Sequence, residues 1–211
     1  MNSLDLHRMI PGINQLKVSQ HQGLEMHLEA TRTFNQTVVK RTVFQMLRGF
    51  GINTNDENFK GTPDRVCKMW SEWLSPKTLK LKVFSSDTKG AVIVTGHKAV
   101  SVCPHHLLPF QMVVDVAYIP TGYVVGLSKL PRLVDIVASS FVLQEHIPEI
   151  IVKILSALLT PRGVICRVRA KHGCMRLRGV RTSGKVTTTA VEGVFLTDEK
   201  ARHEFLGEAW K

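Results

Sequence analysis

Two short segments of this chain carry thiol and imidazole side chains at a spacing that suits a metal ion. Cys103 and His106 lie three residues apart, and Pro104 between them favours a turn that lets both reach one ion. Cys174, far downstream, would share one face of an extended segment with His172. Three protein ligands and a position left for water are the pattern of a catalytic zinc site. The predicted ligands are Cys103, His106 and Cys174, with His105 and His172 beside them.

A purely structural explanation fits each of these residues taken singly. A lone cysteine in a strand often packs as a small apolar side chain, and a lone histidine is often a satisfied polar group. A Cys-x-x-His pair without a second tight pair also differs from the zinc-finger signature. Spacing alone therefore leaves both a metal site and a packing role open.

Length and composition limit the classes of protein to which this chain can belong. A chain of 211 residues that is 44% hydrophobic suits one globular domain with an appended N-terminal segment. The chain lacks an apolar run of about 18 residues and its start lacks the apolar centre of a signal peptide, so we expect a soluble, cytoplasmic protein. In that setting the four cysteines are expected as reduced thiols or metal ligands, with Cys67 and Cys166 as packing residues.

The net charge of +11 predicts an anionic partner. Nucleic acid, a nucleoside triphosphate and an acidic protein all fit this charge. The chain has no long run of Lys and Arg, no aromatic RNA-binding pattern and no recognition-helix signature, which argues against duplex binding.

Two helices are predicted in the N-terminal third, after a loose arm at residues 1–23. Apolar residues recur at helical spacing over residues 24–50, with a candidate break near Thr31. A second helix is expected to start at Thr62-Pro63-Asp64, which offers a hydroxyl cap, a proline and an acid in the first turn. Its buried stripe ends at Ser75-Pro76.

The rest of the chain alternates strands and helices, which indicates an α+β class. Strand-rich runs flank the first metal motif, so this motif is expected in a loop between two strands. Ser128 can cap a helix through Val137, and Asp198 can cap a closing helix. The predicted strands cover residues 91–95, 98–103, 110–119, 123–127 and 186–195, and another helix covers residues 147–158.

A predicted strand that begins at Val164 changes character along its length. Its even-numbered positions start aliphatic, whereas its odd-numbered positions carry positive charge. The even positions end with His172, Cys174, Arg176 and Arg178. One face thus begins in the core and ends in reactive groups, which predicts a site at the end of this strand.

Six segments match motifs of the GTP cyclohydrolase I family. They are GTPDRVCKMW (residues 61–70), SVCPHHLLPF (101–110), VVGLSKLPRLVDIVA (124–138), LQEHI (143–147), KHGCMRLRGVR (171–181) and ARHEFL (201–206). The chain resembles this family from about residue 24 onwards, and most strongly from residue 61 to the C-terminus. Several motifs in the same order are far more specific than any one of them.

The resemblance implies a fold and an assembly. The family has the tunnelling fold, so we expect an antiparallel sheet with helices on one face and an N-terminal helical extension. The expected divisions are the arm at residues 1–23, a helical region at 24–75 and a catalytic domain at 76–211. The family forms a ring-stacked homodecamer whose strands build large barrels and whose sites lie between subunits.

The resemblance also implies a reaction. Family enzymes hydrolyse the imidazole ring of GTP at C8, release formate, rearrange the ribose and close a new ring to give 7,8-dihydroneopterin triphosphate. Zinc on the three predicted ligands acidifies the attacking water. His105 and His172 resemble the proton-transfer histidines of the family, and Ser128 resembles the serine near the ribose.

The implied substrate contacts come from other motifs. Glu145 resembles the carboxylate that accepts the guanine N1 and 2-amino hydrogens, with Gln144 beside it. Charge-assisted contacts to phosphate are strong and directional, so cations suit the triphosphate. The implied triphosphate cations are Arg65, Lys129, Arg132 and Arg178.

The sequence departs from the family at positions that bear on activity. Pro104 stands where the family usually has Glu, which removes an acceptor beside the site and stiffens the loop. Ser139 and Ser140 replace two basic residues, His146 replaces an arginine, and the loop after Arg181 is short. Three alternatives therefore stay open: a related activity on another purine or pterin, a non-catalytic nucleotide-binding subunit, and nucleic-acid binding through net charge.

Overall fold

The computed structural model describes residues 15–21, 25–31, 34–74 and 77–208. Its strands form two four-stranded sheets in which every named pair of strands is antiparallel. The antiparallel α+β class predicted above is confirmed. Residues 1–14, 22 and 23 of the predicted arm, and the predicted stop at Ser75-Pro76, lie outside the described residues.

The smaller sheet joins the N-terminal region to the middle of the chain. Its strand order is β1-β2-β3-β6. The bounds are β1 Gln15–His21, β2 Glu25–Thr31, β3 Lys77–Ser85 and β6 Tyr123–Val125. On β3 the buried residues Leu79, Leu81 and Val83 alternate with exposed ones. Met26 and Leu28 of β2 add to the same core.

The prediction of one helix over residues 24–50 is wrong in its first part. Glu25–Thr31 is strand β2, and helix α1 spans Gln36–Gly49 with Asn35 as its cap. The Asn35 Oδ1 accepts a hydrogen bond from the Val38 N–H at 3.0 Å. Alternation of apolar Met26 and Leu28 with polar neighbours fits a strand as well as a helix, and pairing with β3 decides between them.

The larger sheet has the order β4-β5-β7-β8 and carries the candidate site. Its bounds are β4 Val92–Val102, β5 Pro109–Ile119, β7 Gly163–His172 and β8 Val186–Gly193. The two strands predicted around Gly96 form one strand, β4, with an irregularity between Val94 and His97. Gly96 has φ +76° there, a backbone conformation that glycine adopts without steric cost.

Two helices pack between this sheet and the smaller one. They are α3, Lys129–Ala138, and α4, His146–Leu159. Their apolar residues share one core with Leu79 and Leu81 of β3 and with Val164 and Val168 of β7. Ser128 precedes α3 but makes no capping hydrogen bond, so the predicted cap is wrong.

Two C-terminal helices cover one end of the opposite face of the larger sheet. Helices α6, Val194–Thr197, and α7, Glu199–Glu208, bring Phe195 and Phe205 onto Ala117 and Ile165. Asp198 caps α7 as predicted, since its Oδ1 accepts the Ala201 N–H at 3.1 Å. Helices therefore pack on both faces of the larger sheet, whereas the prediction placed them on one face only.

The helix predicted from Thr62 is observed as α2, Thr62–Leu74, which packs against α1. Within the described residues, none of the helices has the length and apolar character needed to cross a bilayer.

A buried ion cluster joins three strand segments of the larger sheet. Asp115 is fully buried, and its Oδ2 accepts hydrogen bonds from the guanidinium groups of Arg167 and Arg169, each with an Nη2 contact at 3.1 Å. Its Oδ1 accepts the Gly96 N–H at 2.9 Å, which holds the irregular turn of β4. Removing the carboxylate charge would leave two guanidinium groups facing a neutral acceptor, which is costly in a buried place.

We therefore predict that Asp115→Asn lowers the free energy of unfolding by about 3 kcal/mol. Urea unfolding at matched protein concentration measures this change. Asp87→Asn, in an exposed loop, is the control and should change it by less than about 0.5 kcal/mol. An unchanged urea midpoint for Asp115→Asn would show that the cluster does not stabilise the sheet.

Candidate metal centre

The first metal motif lies in a tight loop between β4 and β5, as predicted. The Cys103 N–H donates to the Leu108 carbonyl at 3.0 Å, and the Leu107 N–H donates back to the Cys103 carbonyl at 2.9 Å. Leu107 has φ +53°, a left-handed conformation that costs energy for a residue with a side chain. These constraints turn the chain so that Cys103 and His106 face the same side.

The second motif is not the extended segment that was predicted. Strand β7 ends at His172, and Gly173–Arg176 form a short helix, α5. A Cβ at Gly173 would lie 2.8 Å from the carbonyl oxygen of Pro109, so the absence of a side chain lets the two strand ends approach. The helical turn at this point carries Cys174 towards the first motif.

The structure brings the three predicted ligands together. One ligand atom from each of Cys103, His106 and Cys174 lies within 4.8 Å of the others. Atoms sharing a tetrahedral zinc ion lie roughly 3.5–4 Å apart, as the bond lengths of about 2.0–2.3 Å require. The three side chains thus need only a small inward movement to bind one ion.

The chemistry of this donor set also fits zinc. Two thiols and an imidazole are preferred zinc ligands, whereas calcium and magnesium favour oxygen. Burial raises the pKa of the Cys174 thiol, and the neighbouring Cys103 raises it further because two thiolates repel each other. A bound dication would reverse both effects by neutralising the sulfur charges.

Both predicted proton-transfer histidines lie beside this centre. The Nδ1 of His105 is 4.0 Å from the Cys103 sulfur, and the Nδ1 of His172 is 4.0 Å from the Cys174 sulfur. His105 is exposed, whereas His172 stacks on Phe110 with ring centroids 4.3 Å apart. Burial lowers the pKa of His172, although nearby Glu145 opposes this shift.

Gln144 lies beneath His172 instead of at the surface of the site. It is 2% exposed, and its Oε1 is 2.7 Å from the His172 Nε2. Its amide nitrogen donates to the Val186 carbonyl at 2.9 Å and approaches the Val168 carbonyl at 3.3 Å. All of its polar atoms thus have protein partners. This placement fits a residue that orients His172 better than one that contacts substrate.

The predicted triphosphate cations lie on three different elements. Arg178, just after α5, places its Nη1 2.7 Å from the His106 Nε2. Lys129 and Arg132 of α3 line a groove of about 390 Å³. Arg65 of α2 donates to the Asn58 carbonyl and the Thr62 hydroxyl, both at 2.9 Å.

The groove beside α3 contains two cations that sequence reasoning missed. Lys77 and Lys80 of β3 line it together with Lys129 and Arg132, and its one acid, Asp135, pairs with His97 at 2.9 Å. The available signal was the strict apolar–polar alternation of residues 78–83, which marks a strand. Glu145 and Ser128 are exposed at the starts of α4 and α3, where a ligand could reach them.

The other two cysteines pack in the core as predicted. Cys67 is 2% exposed and Cys166 is fully buried, and all four cysteines are free thiols.

Comparison with known proteins identifies the same family as the sequence motifs. The family model described as GTP cyclohydrolase I matches residues 39–209. The GTP cyclohydrolase 1 of Aquifex aeolicus (strain VF5) is 41% identical over 171 residues, which cover 80% of this chain and 93% of that protein. The enzyme of that name from Bacillus mycoides (strain KBAB4) is 42% identical over 179 residues, which cover 82% and 95%.

Two further comparisons differ in strength. The GTP cyclohydrolase 1 of Streptococcus thermophilus (strain CNRZ 1066) is 39% identical over 179 residues, covering 82% of this chain and 96% of that protein. A solved structure of the archaeosine synthase QueF-Like in the apo form aligns with 51% of this chain and with 96% of its own chain. The TM-score is 0.42 and the sequence identity is 22%, so this likeness is too weak to bear on the fold. The sequence matches alone are sufficient, and the chain belongs to the GTP cyclohydrolase I family.

Proposed function

We propose that this protein is a zinc-dependent GTP cyclohydrolase I. It adds water at C8 of the guanine imidazole ring, releases that carbon as formate, and converts the remaining nucleotide to 7,8-dihydroneopterin triphosphate. The observation that carries the proposal is the convergence of Cys103, His106 and Cys174 within 4.8 Å, next to two histidines. Relatives with the name GTP cyclohydrolase 1, about 40% identical over most of the chain, support it.

Zinc is the metal we propose for the three ligands. When bound, it supplies Lewis acidity, which makes water a competent nucleophile near neutral pH. The chain surrounds this centre with groups that handle protons and hold the purine. His105 and His172 exchange protons with the ring as it opens, because both imidazoles lie next to the ligand sulfurs.

Glu145 is proposed to hold the guanine edge. Its carboxylate offers two acceptors to the N1 and 2-amino hydrogens, and it lies near enough to His172 to act on that ring electrostatically. Ser128 is proposed near the ribose because it resembles the family's serine there, and its exposed hydroxyl makes no capping bond to α3. This arrangement would set C8 over the metal centre while the ribose extends outwards.

The triphosphate is proposed to lie along the cations Lys129, Arg132, Arg178 and Arg65. Lys77 and Lys80 belong to the same groove as the first two. Because these cations sit on α2, α3, β3 and the turn after α5, a complete triphosphate site is best explained by contributions from more than one subunit. We therefore propose a homo-oligomer in which sites lie between subunits, and the family resemblance implies that it is a decamer of tunnelling-fold subunits with strand-built barrels.

The first prediction concerns turnover. Zinc-loaded protein incubated with GTP should release one formate per GTP and yield a pterin that fluoresces after oxidation. Inosine and adenosine triphosphates, which lack the 2-amino group, should react far more slowly. A clear preference for another purine would favour the related activity, and GTP binding without formate would favour a non-catalytic subunit.

The second prediction concerns the metal. Purified protein should hold about one zinc per chain, and Cys174→Ala should lose most of it because two ligands do not close a site. Metal content is measured by elemental analysis. Cys67→Ala changes a buried cysteine away from the centre and serves as the control. Equal zinc in Cys174→Ala and Cys67→Ala would contradict the ligand assignment.

The third prediction concerns the groove beside α3. Lys129→Ala and Lys77→Ala should each raise the KM for GTP by about tenfold, the equivalent of one charge-assisted contact of about 1.4 kcal/mol. Initial rates over a range of GTP concentrations measure the change. Lys89→Ala alters an exposed lysine in a loop and should leave the KM unchanged. If Lys77→Ala behaves like Lys89→Ala, Lys77 takes no part in phosphate binding.

A further inference from the structure

We propose that Gln144 is a positioning residue that keeps a hydrogen on the Nε2 of His172 and turns the Nδ1 towards Cys174 and the metal centre. This inference rests on the proposed function for its catalytic meaning, since it assigns the ring atom at which His172 exchanges protons. It also reassigns Gln144, which the family resemblance had placed among the substrate contacts.

The orientation of the Gln144 amide follows from its surroundings. Its nitrogen faces three oxygens: the Val186 carbonyl at 2.9 Å, the Val168 carbonyl at 3.3 Å and the Thr188 hydroxyl at 3.3 Å. Backbone carbonyls accept hydrogen bonds and cannot donate them, so the NH₂ group must point this way. A flipped amide would set its oxygen against two carbonyl oxygens in a buried place. The Gln144 oxygen therefore faces His172.

The tautomer of His172 follows from that orientation. An amide oxygen only accepts, and it lies 2.7 Å from Nε2, so Nε2 must carry a hydrogen. A neutral imidazole that carries its hydrogen on Nε2 has a free lone pair on Nδ1. Phe110 stacks on the ring with an interplanar angle of 12° and prevents the rotation that would exchange the two nitrogens.

The arrangement gives proton transfer a direction. The Nδ1 of His172 lies 4.0 Å from the Cys174 sulfur and is the nitrogen turned towards the centre. A glutamine, unlike a carboxylate, cannot take up the Nε2 proton and pass it on. Proton exchange at His172 is therefore confined to Nδ1, on the side where the purine is proposed to bind. Gln144 is 2% exposed, so it acts through His172 and not through contact with substrate.

Nitrogen-15 NMR of histidine-labelled protein tests the assignment at one pH above the usual range of histidine. The His172 signals are identified by their loss in His172→Gln. We expect a protonated Nε2 and an unprotonated Nδ1 in the zinc-loaded protein. A ring protonated on Nδ1 alone would overturn the proposal, and this wild-type spectrum decides the question even if the Gln144 variants fail to fold.

Two substitutions test the role of Gln144. Gln144→Met removes the acceptor at nearly constant volume, so the ring should populate both tautomers and kcat should fall at least tenfold while the KM for GTP changes less than threefold. Gln144→Glu keeps an oxygen opposite Nε2, so Nε2 should stay protonated at the pH of the spectrum, while its second oxygen faces the Val168 and Val186 carbonyls and should lower stability. Gln111→Met, on an exposed position of β5, is the matched control and should change neither the spectrum nor kcat.

The outcomes separate this inference from the proposed function. A single Nε2-protonated ring in Gln144→Met would show that Gln144 does not set the tautomer. Wild-type protein with the expected spectrum but no formate release would reject the cyclohydrolase activity and leave the tautomer assignment standing. A large rise in the KM of Gln144→Met with kcat unchanged would instead mark Gln144 as a substrate contact.

Discussion

The antiparallel register of β4, β5 and β7 is the constraint on which the candidate site depends. Val102 pairs with Pro109, and Phe110 pairs with His172, so the end of β4, the start of β5 and the end of β7 meet at one edge of the sheet. Cys103 follows the first of these ends and Cys174 follows the last. A shift of one residue in either register would turn Phe110 or His172 to the opposite face. The metal ligands would then no longer converge.

The core beneath this edge keeps the register in place. Even-numbered positions of β7 from Val164 to Ala170 are buried against α3 and α4, and the same face continues into His172. Buried apolar packing therefore fixes the strand that carries the imidazole, while Gln144, from the segment before α4, fixes the ring itself. Hydrophobic burial and one side-chain hydrogen bond act on the same histidine.

Charge is arranged differently in the Asp115 cluster and in the groove beside α3. In the cluster, Asp115 is enclosed by two guanidinium groups and serves the stability of the strands. The groove is lined by Lys77, Lys80, Lys129 and Arg132, and its acid, Asp135, pairs with His97. More cations than acids line this groove, which suits an anionic substrate, whereas the Asp115 cluster is a closed set of opposite charges within the sheet.

The sequence by itself determined the loop between two strands, the helices from Thr62 and near Ile147, and the α+β class, and it singled out the three residues proposed as ligands, because each rests on local spacing or on a run of apolar residues. It did not determine β2 and β3, since alternation over a few residues becomes a strand only when a neighbour pairs with it. It also misjudged the segment around Cys174, where a close approach to the Pro109 carbonyl ends the strand. The orientation of Gln144, on which its proposed role rests, was decided only by tertiary structure, because its partners Val168 and Val186 lie on strands remote in sequence and their carbonyl groups orient the amide.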